Sequence, residues 1–258
     1  QAGGILDLEG FVTMNITTVG DASSLEEIET GDDTETLNVE GESNLSVSGE
    51  LDNSVTTVNA ETMTGGLSVD AGDVAVEQAG TDFTATTGSG NDSVDVSGIT
   101  ASNVNNANAT ITVSTGAGDD TITAPDLADE ADADFEGTLN LDGGDGDNTL
   151  SFEIAGSTTT NDFEDFLNLD NVTLSNFATV TLGYASPASG LFDAGVIDGL
   201  SKIVLNESVE SNNPFEVVNA AGVTEIEVVT QSSADNSVGN ITVSDAEPSE
   251  FTLTLSGS

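Results

Sequence analysis

Residues 83–96 (FTATTGSGNDSVDV), 111–124 (ITVSTGAGDDTITA) and 139–152 (LNLDGGDGDNTLSF) align with one another at a constant shift of 28 residues. Apolar residues stay in register on both sides of the glycine turn, which glycine-rich loops that matched by chance would not do. The aligned columns are Phe83, Ile111 and Leu139 before the turn, and Val94, Ile122 and Leu150 after it. We therefore interpret the three stretches as repeats of one structural unit.

Short alternating runs rich in Val, Ile, Thr and Leu recur along the chain, for example at 35–39 (ETLNV), 172–174 (VTL) and 251–255 (FTLTL). Such runs, separated by Gly, Asn, Asp and Ser, predict strands joined by tight turns. One strand–turn–strand unit cannot bury its apolar side alone, so successive units must stack as parallel strands about 4.8 Å apart. The predicted fold is all-β, a parallel β-helix or β-roll-like solenoid with an irregular β-rich flank.

The repeat divides the chain into three predicted segments. Residues 81–155 form the solenoid coils that carry the glycine turns, residues 1–80 form an N-terminal β-rich segment, and residues 156–258 continue the solenoid. The apolar run at 4–19 (GILDLEGFVTMNITTV) is a candidate contact strand for a second subunit. The first strand of its own fold is the simpler interpretation of that run.

The turns have a composition that suits a hard cation. Glycine permits positive φ and exposes carbonyl oxygens, while the following Asp adds a carboxylate, and both kinds of oxygen are ligands that Ca²⁺ prefers. The candidate metal ligands are Gly88, Gly90 and Asp92 in the first turn, Gly116, Gly118 and Asp120 in the second, and Gly144, Gly146 and Asn148 in the third. Ordinary β-turns without a metal are the alternative, because Gly and Asp favour turns by themselves.

At these residues the sequence resembles the RTX (repeats-in-toxin) nonapeptide GGxGxDxUx, in which U is a large apolar residue. The third copy has Asn148 at the Asp position, and the first two have Thr87 and Thr115 in place of the first glycine. One copy per 28-residue coil is most similar to RTX-related bacterial surface-layer proteins. The resemblance implies Ca²⁺ held between neighbouring coils by glycine carbonyls together with Asp92, Asp120 and Asn148.

The charge of the chain restricts its partners. Its 258 residues include 47 acidic residues and a single base, Lys202, for a formal net charge of −46. Nucleic-acid binding requires Lys and Arg, and no apolar run approaches the roughly 20 residues that span a bilayer, so neither nucleic acid nor membrane insertion is expected. A chain this acidic repels itself unless cations share its volume. We expect a salt-rich or calcium-rich extracellular setting, at the cell surface or in a matrix.

These observations predict an extracellular structural protein that assembles with copies of itself, in a calcium-dependent way, into a surface layer or filament. An enzyme is not expected, and no catalytic or organic-cofactor residue is assigned. Lyases and epimerases built on β-helices need bases and cations, for which this chain offers only Lys202 and Tyr184.

The alternative is a segment of a calcium-stabilised RTX adhesin or a matrix-binding module, with cell-surface polysaccharide as a further candidate partner. A threonine-rich solenoid face that binds ice belongs to this class. Threonine clusters at 56–57, 86–87 and 158–160 do not recur at one coil spacing, which argues against ice binding.

Overall fold

The computed structural model describes most of the chain. Its described residues are 3–72, 81–99, 109–125, 137–154, 171–184, 191–206, 215–230, 241–244 and 250–257. These residues form twenty-one strands and two 3₁₀ turns, Gly31–Asp33 and Ala194–Val196, and they contain no α-helix. Within the same ranges, no helix is long and apolar enough to cross a membrane.

The strands form three sheets, which we call Sheets A, B and C. Sheet A has eleven described strands: β1 (Gly4–Asp7), β3 (Ser23–Glu29), β5 (Leu45–Glu50), β7 (Leu67–Asp70), β9 (Ser93–Asp95), β11 (Thr121–Ala124), β13 (Thr149–Ile154), β15 (Thr179–Tyr184), β17 (Lys202–Leu205), β19 (Glu225–Thr230) and β21 (Thr252–Gly257). Sheet B has seven: β2 (Thr13–Thr18), β4 (Thr36–Gly41), β6 (Thr57–Asn59), β8 (Phe83–Thr86), β10 (Thr110–Ser114), β12 (Thr138–Asp142) and β14 (Val172–Ser175). Sheet C has three: β16 (Leu191–Asp193), β18 (Phe215–Val218) and β20 (Ile241–Val243).

Each strand pairs in parallel with the strand two places away in the chain, so the backbone alternates between sheets as it advances. Sheet A runs through all three predicted segments, from β1 to β21. With about 4.8 Å between neighbouring strands, its eleven described strands extend over roughly 50 Å. The predicted all-β parallel solenoid is therefore confirmed.

The register predicted from the repeats is also confirmed. Ile111 on β10 pairs with Phe83 on one side and Leu139 on the other. After the turn, Ile122 on β11 pairs with Val94 and Leu150. All six side chains are at most 1% exposed, so they form two apolar columns in the core. Outside the repeats the coil length varies, because Thr36 pairs with Thr57 across a shorter coil and Leu139 pairs with Val172 across a longer one.

Apolar side chains are exposed at the two ends of the described solenoid. Ile226 and Val228 on β19 are fully buried, but Leu253 and Leu255, their register partners on β21, are 55% and 61% exposed. The segment 4–19 forms β1 and β2 of the solenoid itself, and its apolar residues Ile5, Leu8, Phe11, Val12 and Val19 are exposed. In the described sheet, β1 and β21 are edge strands, each hydrogen-bonded on one side to a neighbour.

Candidate metal centre

The glycines of the three turns stack directly on one another. Gly116 and Gly118 have φ of 81° and 141°, and Gly144 and Gly146 have φ of 72° and 138°, which confirms the expected positive-φ turn conformation in the second and third copies. A Cβ on Gly146 would overlap the carbonyl oxygen of Gly118 in the preceding coil. The glycines are therefore required by backbone-to-backbone contact between coils as well as by φ.

The first turn uses its glycines only for close approach. A Cβ on Gly88 would overlap the carbonyl oxygen of Met63, and one on Gly90 would overlap the backbone between Gly65 and Gly66. The carbonyl oxygen of Gly88 accepts a hydrogen bond from the amide of Ala117 at 2.9 Å. Carbonyl groups expected to face a cation thus also take part in hydrogen bonds between coils.

Asp92, Asp120 and Asn148 lie in one buried column, which we call the inner ladder. They are 4%, 1% and 0% exposed. The amide of Asp92 donates to Oδ1 of Asp120 at 2.7 Å, and the amide of Asp120 donates to Oδ1 of Asn148 at 3.0 Å. The side chains of Asp120 and Asn148 therefore each hold the backbone of the preceding coil.

Burial makes the two carboxylates of the inner ladder difficult to ionise. Burial raises the pKa of Asp120 to about 6, although the hydrogen bond from the Asp92 amide acts to lower it. Burial also raises the pKa of Asp92. Oδ2 of Asp92 accepts from the Thr87 hydroxyl at 2.6 Å. The equivalent hydroxyl of Thr115 lies near Asp120 but donates to the carbonyl oxygen of Gly143 at 3.0 Å, so Oδ2 of Asp120 is buried and accepts no hydrogen bond. A buried carboxylate oxygen without a partner is costly for the fold and chemically suited to a cation or a proton.

Two of the three departures from the RTX pattern, Thr87 and Asn148, have a physical explanation in this column. Thr87 occupies the place of the first glycine and supplies the hydroxyl that Asp92 needs. In the third turn Gly143 keeps that place free, and an added Cβ there would lie 2.7 Å from the Asn148 Cβ. The Asn148 side chain needs no such hydroxyl, because its Nδ2 donates hydrogen bonds to the carbonyl oxygens of Gly144 and Asn176 at 3.2 and 3.1 Å.

A second, exposed column accompanies the inner ladder, and sequence reasoning missed it. We call it the outer ladder: Asn91, Asp119 and Asp147. The amide of Asp119 donates to Oδ1 of Asn91 at 3.1 Å, and that of Asp147 donates to Oδ1 of Asp119 at 3.0 Å. In the outer ladder the amide of the later coil donates to a side chain of the preceding coil, whereas in the inner ladder the amide of the earlier coil donates to a side chain of the following one. Neighbouring coils are therefore joined by hydrogen bonds of both directions. The signal was present in the sequence, since each turn carries two consecutive Asn or Asp residues.

The structure thus brings the nine candidate ligands together at stacked turns, as expected. No group of three or more His, Cys, Asp or Glu side chains within the described ranges is arranged to hold an ion by side chains alone. A cation at these turns would depend on backbone carbonyls, one amide oxygen and the two buried carboxylates, of which Oδ2 of Asp120 is the atom without another partner.

Comparisons of the chain with protein-family models, with curated proteins and with solved structures find no match. The class of the protein therefore rests on its own repeats and register. It is a parallel β-solenoid whose coils are joined by stacked Gly-Asx turns, an arrangement consistent with an RTX-type β-roll.

Proposed function

We propose that this chain is an extracellular structural protein, of the kind that RTX-related surface-layer proteins represent, and that it assembles with copies of itself into a layer or filament in a calcium-dependent way. The observation that carries the proposal is that apolar side chains are exposed on the two outer strands of the described Sheet A, Ile5 on β1 and Leu253 and Leu255 on β21. Parallel edge strands have unpaired backbone groups and pair with another chain unless they are protected.

The two ends are complementary in structure. Because every strand of Sheet A is parallel, adding β1 of one copy beside β21 of another continues the same ladder without reversing direction. The apolar side chains Leu253 and Leu255 at one end would then lie beside Leu6 at the other, the side chain of β1 that pairs with buried Ile28 and packs on the core. End-to-end contact therefore buries apolar surface and pairs backbone groups at once.

Charge supports a requirement for cations. Two copies that each carry a net charge of −46 repel one another strongly at low salt. Calcium bound at the turns would neutralise the carboxylates of Asp92 and Asp120 and so stabilise each coil, and further Ca²⁺ would lower the repulsion between copies. No catalytic activity is proposed.

Negative-stain electron microscopy of the purified chain tests the proposal, before and after addition of millimolar CaCl₂ and with a chelated control. We expect ordered sheets or filaments that dissolve on chelation. Monodisperse particles under both conditions would refute self-assembly and leave the adhesin segment or matrix-binding module as the better interpretation.

A pair of matched variants tests the role of the ends. The double variant Leu253→Asn/Leu255→Asn makes polar the two exposed side chains of β21 that continue the apolar columns of the core. We expect it to abolish assembly and to leave the circular dichroism spectrum unchanged. Thr252→Asn with Thr254→Asn changes the outward side chains of the same strand and should assemble as the wild type does. Equal loss of assembly in both variants would argue against end-to-end contact.

A further inference from the structure

The outward face of Sheet B carries two rows of polar side chains, although no single sequence spacing connects all their members. In each of its seven described strands, an outward residue, a buried residue and a second outward residue follow one another. The strand pairings place the first outward residues in one row, which we call the threonine row: Thr13, Thr36, Thr57, Thr84, Thr112, Asn140 and Thr173.

The second outward residues form a parallel row, which we call the amide-hydroxyl row. Its members are Asn15, Asn38, Asn59, Thr86, Ser114, Asp142 and Ser175. The Nδ2 of Asn38 donates to Oδ1 of Asn15 at 2.9 Å, and the Nδ2 of Asn59 donates to Oδ1 of Asn38 at 3.2 Å. These bonds hold the carboxamides in fixed positions along the row.

Composition does not account for these rows. Threonine makes up about one residue in eight of the chain, yet six of the seven positions in the threonine row are Thr. Strand propensity alone would also place Val, Ile or Tyr there. The outward face of Sheet A, by contrast, mixes Ser and Thr with charged residues: Asp70, Asp95, Lys202, Glu225 and Glu227. The two rows of Sheet B contain one charged residue, Asp142, on a chain with a net charge of −46.

The geometry of the face is that of a regular grid. Neighbouring strands are about 4.8 Å apart, and the first and third residues of a strand are roughly 7 Å apart. Threonine has a restricted χ1, so each of its hydroxyl and methyl groups has few accessible orientations. A nearly uncharged grid of hydrogen-bonding groups fits a partner that repeats at similar distances and is itself uncharged.

The size and chemistry of the grid argue against two other occupants. Two rows across seven strands cover roughly 300 Å², which is well below the approximately 800 Å² per partner of a stable protein–protein interface, so a second copy is disfavoured. The fourteen positions include no aromatic side chain on which a sugar ring would stack, which disfavours polysaccharide.

We propose that the outward face of Sheet B binds the surface of ice. Hydroxyl and carboxamide groups at fixed spacings would take the places of water molecules in the outermost layer of the lattice, where hydrogen bonds through ordered water are nearly as favourable as direct ones. Binding of this kind needs neither calcium nor contact between copies, so it is independent of the assembly proposed above.

The sequence argued against ice binding because its threonine clusters do not recur at one coil spacing. The pairing of the strands shows that even spacing along the chain is not needed for threonines to align. Successive members of the threonine row are unevenly spaced along the chain because the coils differ in length, and only the pairing of the strands aligns them. Thr57 belongs to the threonine row and Thr86 to the amide-hydroxyl row. Residues 158–160 lie outside the described residues.

The test uses the full chain in chelator, so that assembly does not interfere. Thermal hysteresis and the shape of growing ice crystals are measured for the wild type, for Thr84→Tyr at the centre of the threonine row, and for Thr121→Tyr. Thr121 lies on the outward face of Sheet A, so this variant adds the same bulk to a different face. Circular dichroism checks that each variant folds, and Thr36→Tyr replaces Thr84→Tyr should the latter not fold.

We expect thermal hysteresis in the wild type, retention in Thr121→Tyr, and loss of most of it in Thr84→Tyr. Absence of hysteresis and of crystal shaping in the wild type would overturn the proposal, as would equal loss in both variants. Co-sedimentation with insoluble cellulose or chitin that Thr84→Tyr abolishes, without any effect on ice, would overturn it in favour of a polysaccharide surface.

Discussion

Replacing Asp120 by Asn should stabilise the calcium-free protein at neutral pH. Burial raises the pKa of Asp120 to about 6 from an ordinary value of 3.8. Two pKa units at about 1.4 kcal/mol each mean that ionised Asp120 costs the fold up to about 3 kcal/mol. Well below pH 4 the side chain is protonated in both the folded and the unfolded state, and the cost is absent. It grows between pH 4 and 6 and is complete above pH 6, so stability falls as pH rises through this window.

The third turn shows how an Asn fits this position. Asn148 keeps the acceptor Oδ1 that the inner ladder uses, and its Nδ2 finds two carbonyl oxygens at 3.1 and 3.2 Å. An Asn at position 120 should likewise keep the bond from the Asp92 amide, and it removes the buried charge; its neighbour there is Thr115 in place of the glycine found beside Asn148. For a chain of this size, about 3 kcal/mol corresponds to a rise in Tm of roughly 6 to 12 °C.

The assay is urea and thermal unfolding followed by circular dichroism in chelator, at pH 4 and pH 7.5. Asp119→Asn is the matched control, because it removes the same charge one residue away at an exposed position of the outer ladder. We expect Asp120→Asn to be stabilised over its parent at pH 7.5, with a smaller difference at pH 4. A destabilised Asp120→Asn in chelator at pH 7.5 would refute the reasoning.

The same variant also tests the metal proposal through the sign of its effect. If Asp120 is a calcium ligand, millimolar Ca²⁺ stabilises the wild type by neutralising the carboxylate, and Asp120→Asn loses that gain. The variant should then be the more stable protein in chelator and the less stable one in calcium. The same ranking under both conditions would contradict a role for Asp120 in calcium binding.

Three further outcomes are expected. Gly118→Ala should destabilise the fold severely, because the added Cβ would overlap a carbonyl of the preceding coil and because the backbone has a φ of 141° there. The control is Gly4→Ala, where an added Cβ meets no atom within 4 Å, and equal Tm values of the two variants would contradict the stacking argument. Thr87→Val should lower the free energy of unfolding by about 1 to 3 kcal/mol, because it leaves an oxygen of Asp92 buried without its donor; urea unfolding in chelator measures this, and no change would mean that the hydroxyl is not needed. Lys202→Met should cost at most about 1 kcal/mol at low salt and little at high salt, since the ion pairs with its two glutamate partners are partly exposed; an effect of equal size at both salt concentrations would contradict an electrostatic origin.

The sequence alone was sufficient for the fold class and for the central register. Phe83, Ile111 and Leu139 recur at one constant spacing, and parallel stacking requires that the apolar residues of consecutive coils coincide. The positions of the glycines in the turns followed from the same alignment. These features are local or strictly periodic, so they are visible in a one-dimensional pattern.

Only the tertiary structure decided which way the turn residues face and which distant residues share a row. Asp92 and Asp120 stay predicted ligands, and the structure adds that they lie inside the coil and accept hydrogen bonds from backbone amides, because a side chain next to a turn can point either inward or outward. Thr36 and Thr57, or Asn140 and Thr173, become neighbours only when strands from coils of unequal length pair. The length of a loop does not set the register of a parallel ladder; the burial of the apolar residues between the outward positions does, and that burial exists only once the solenoid has formed.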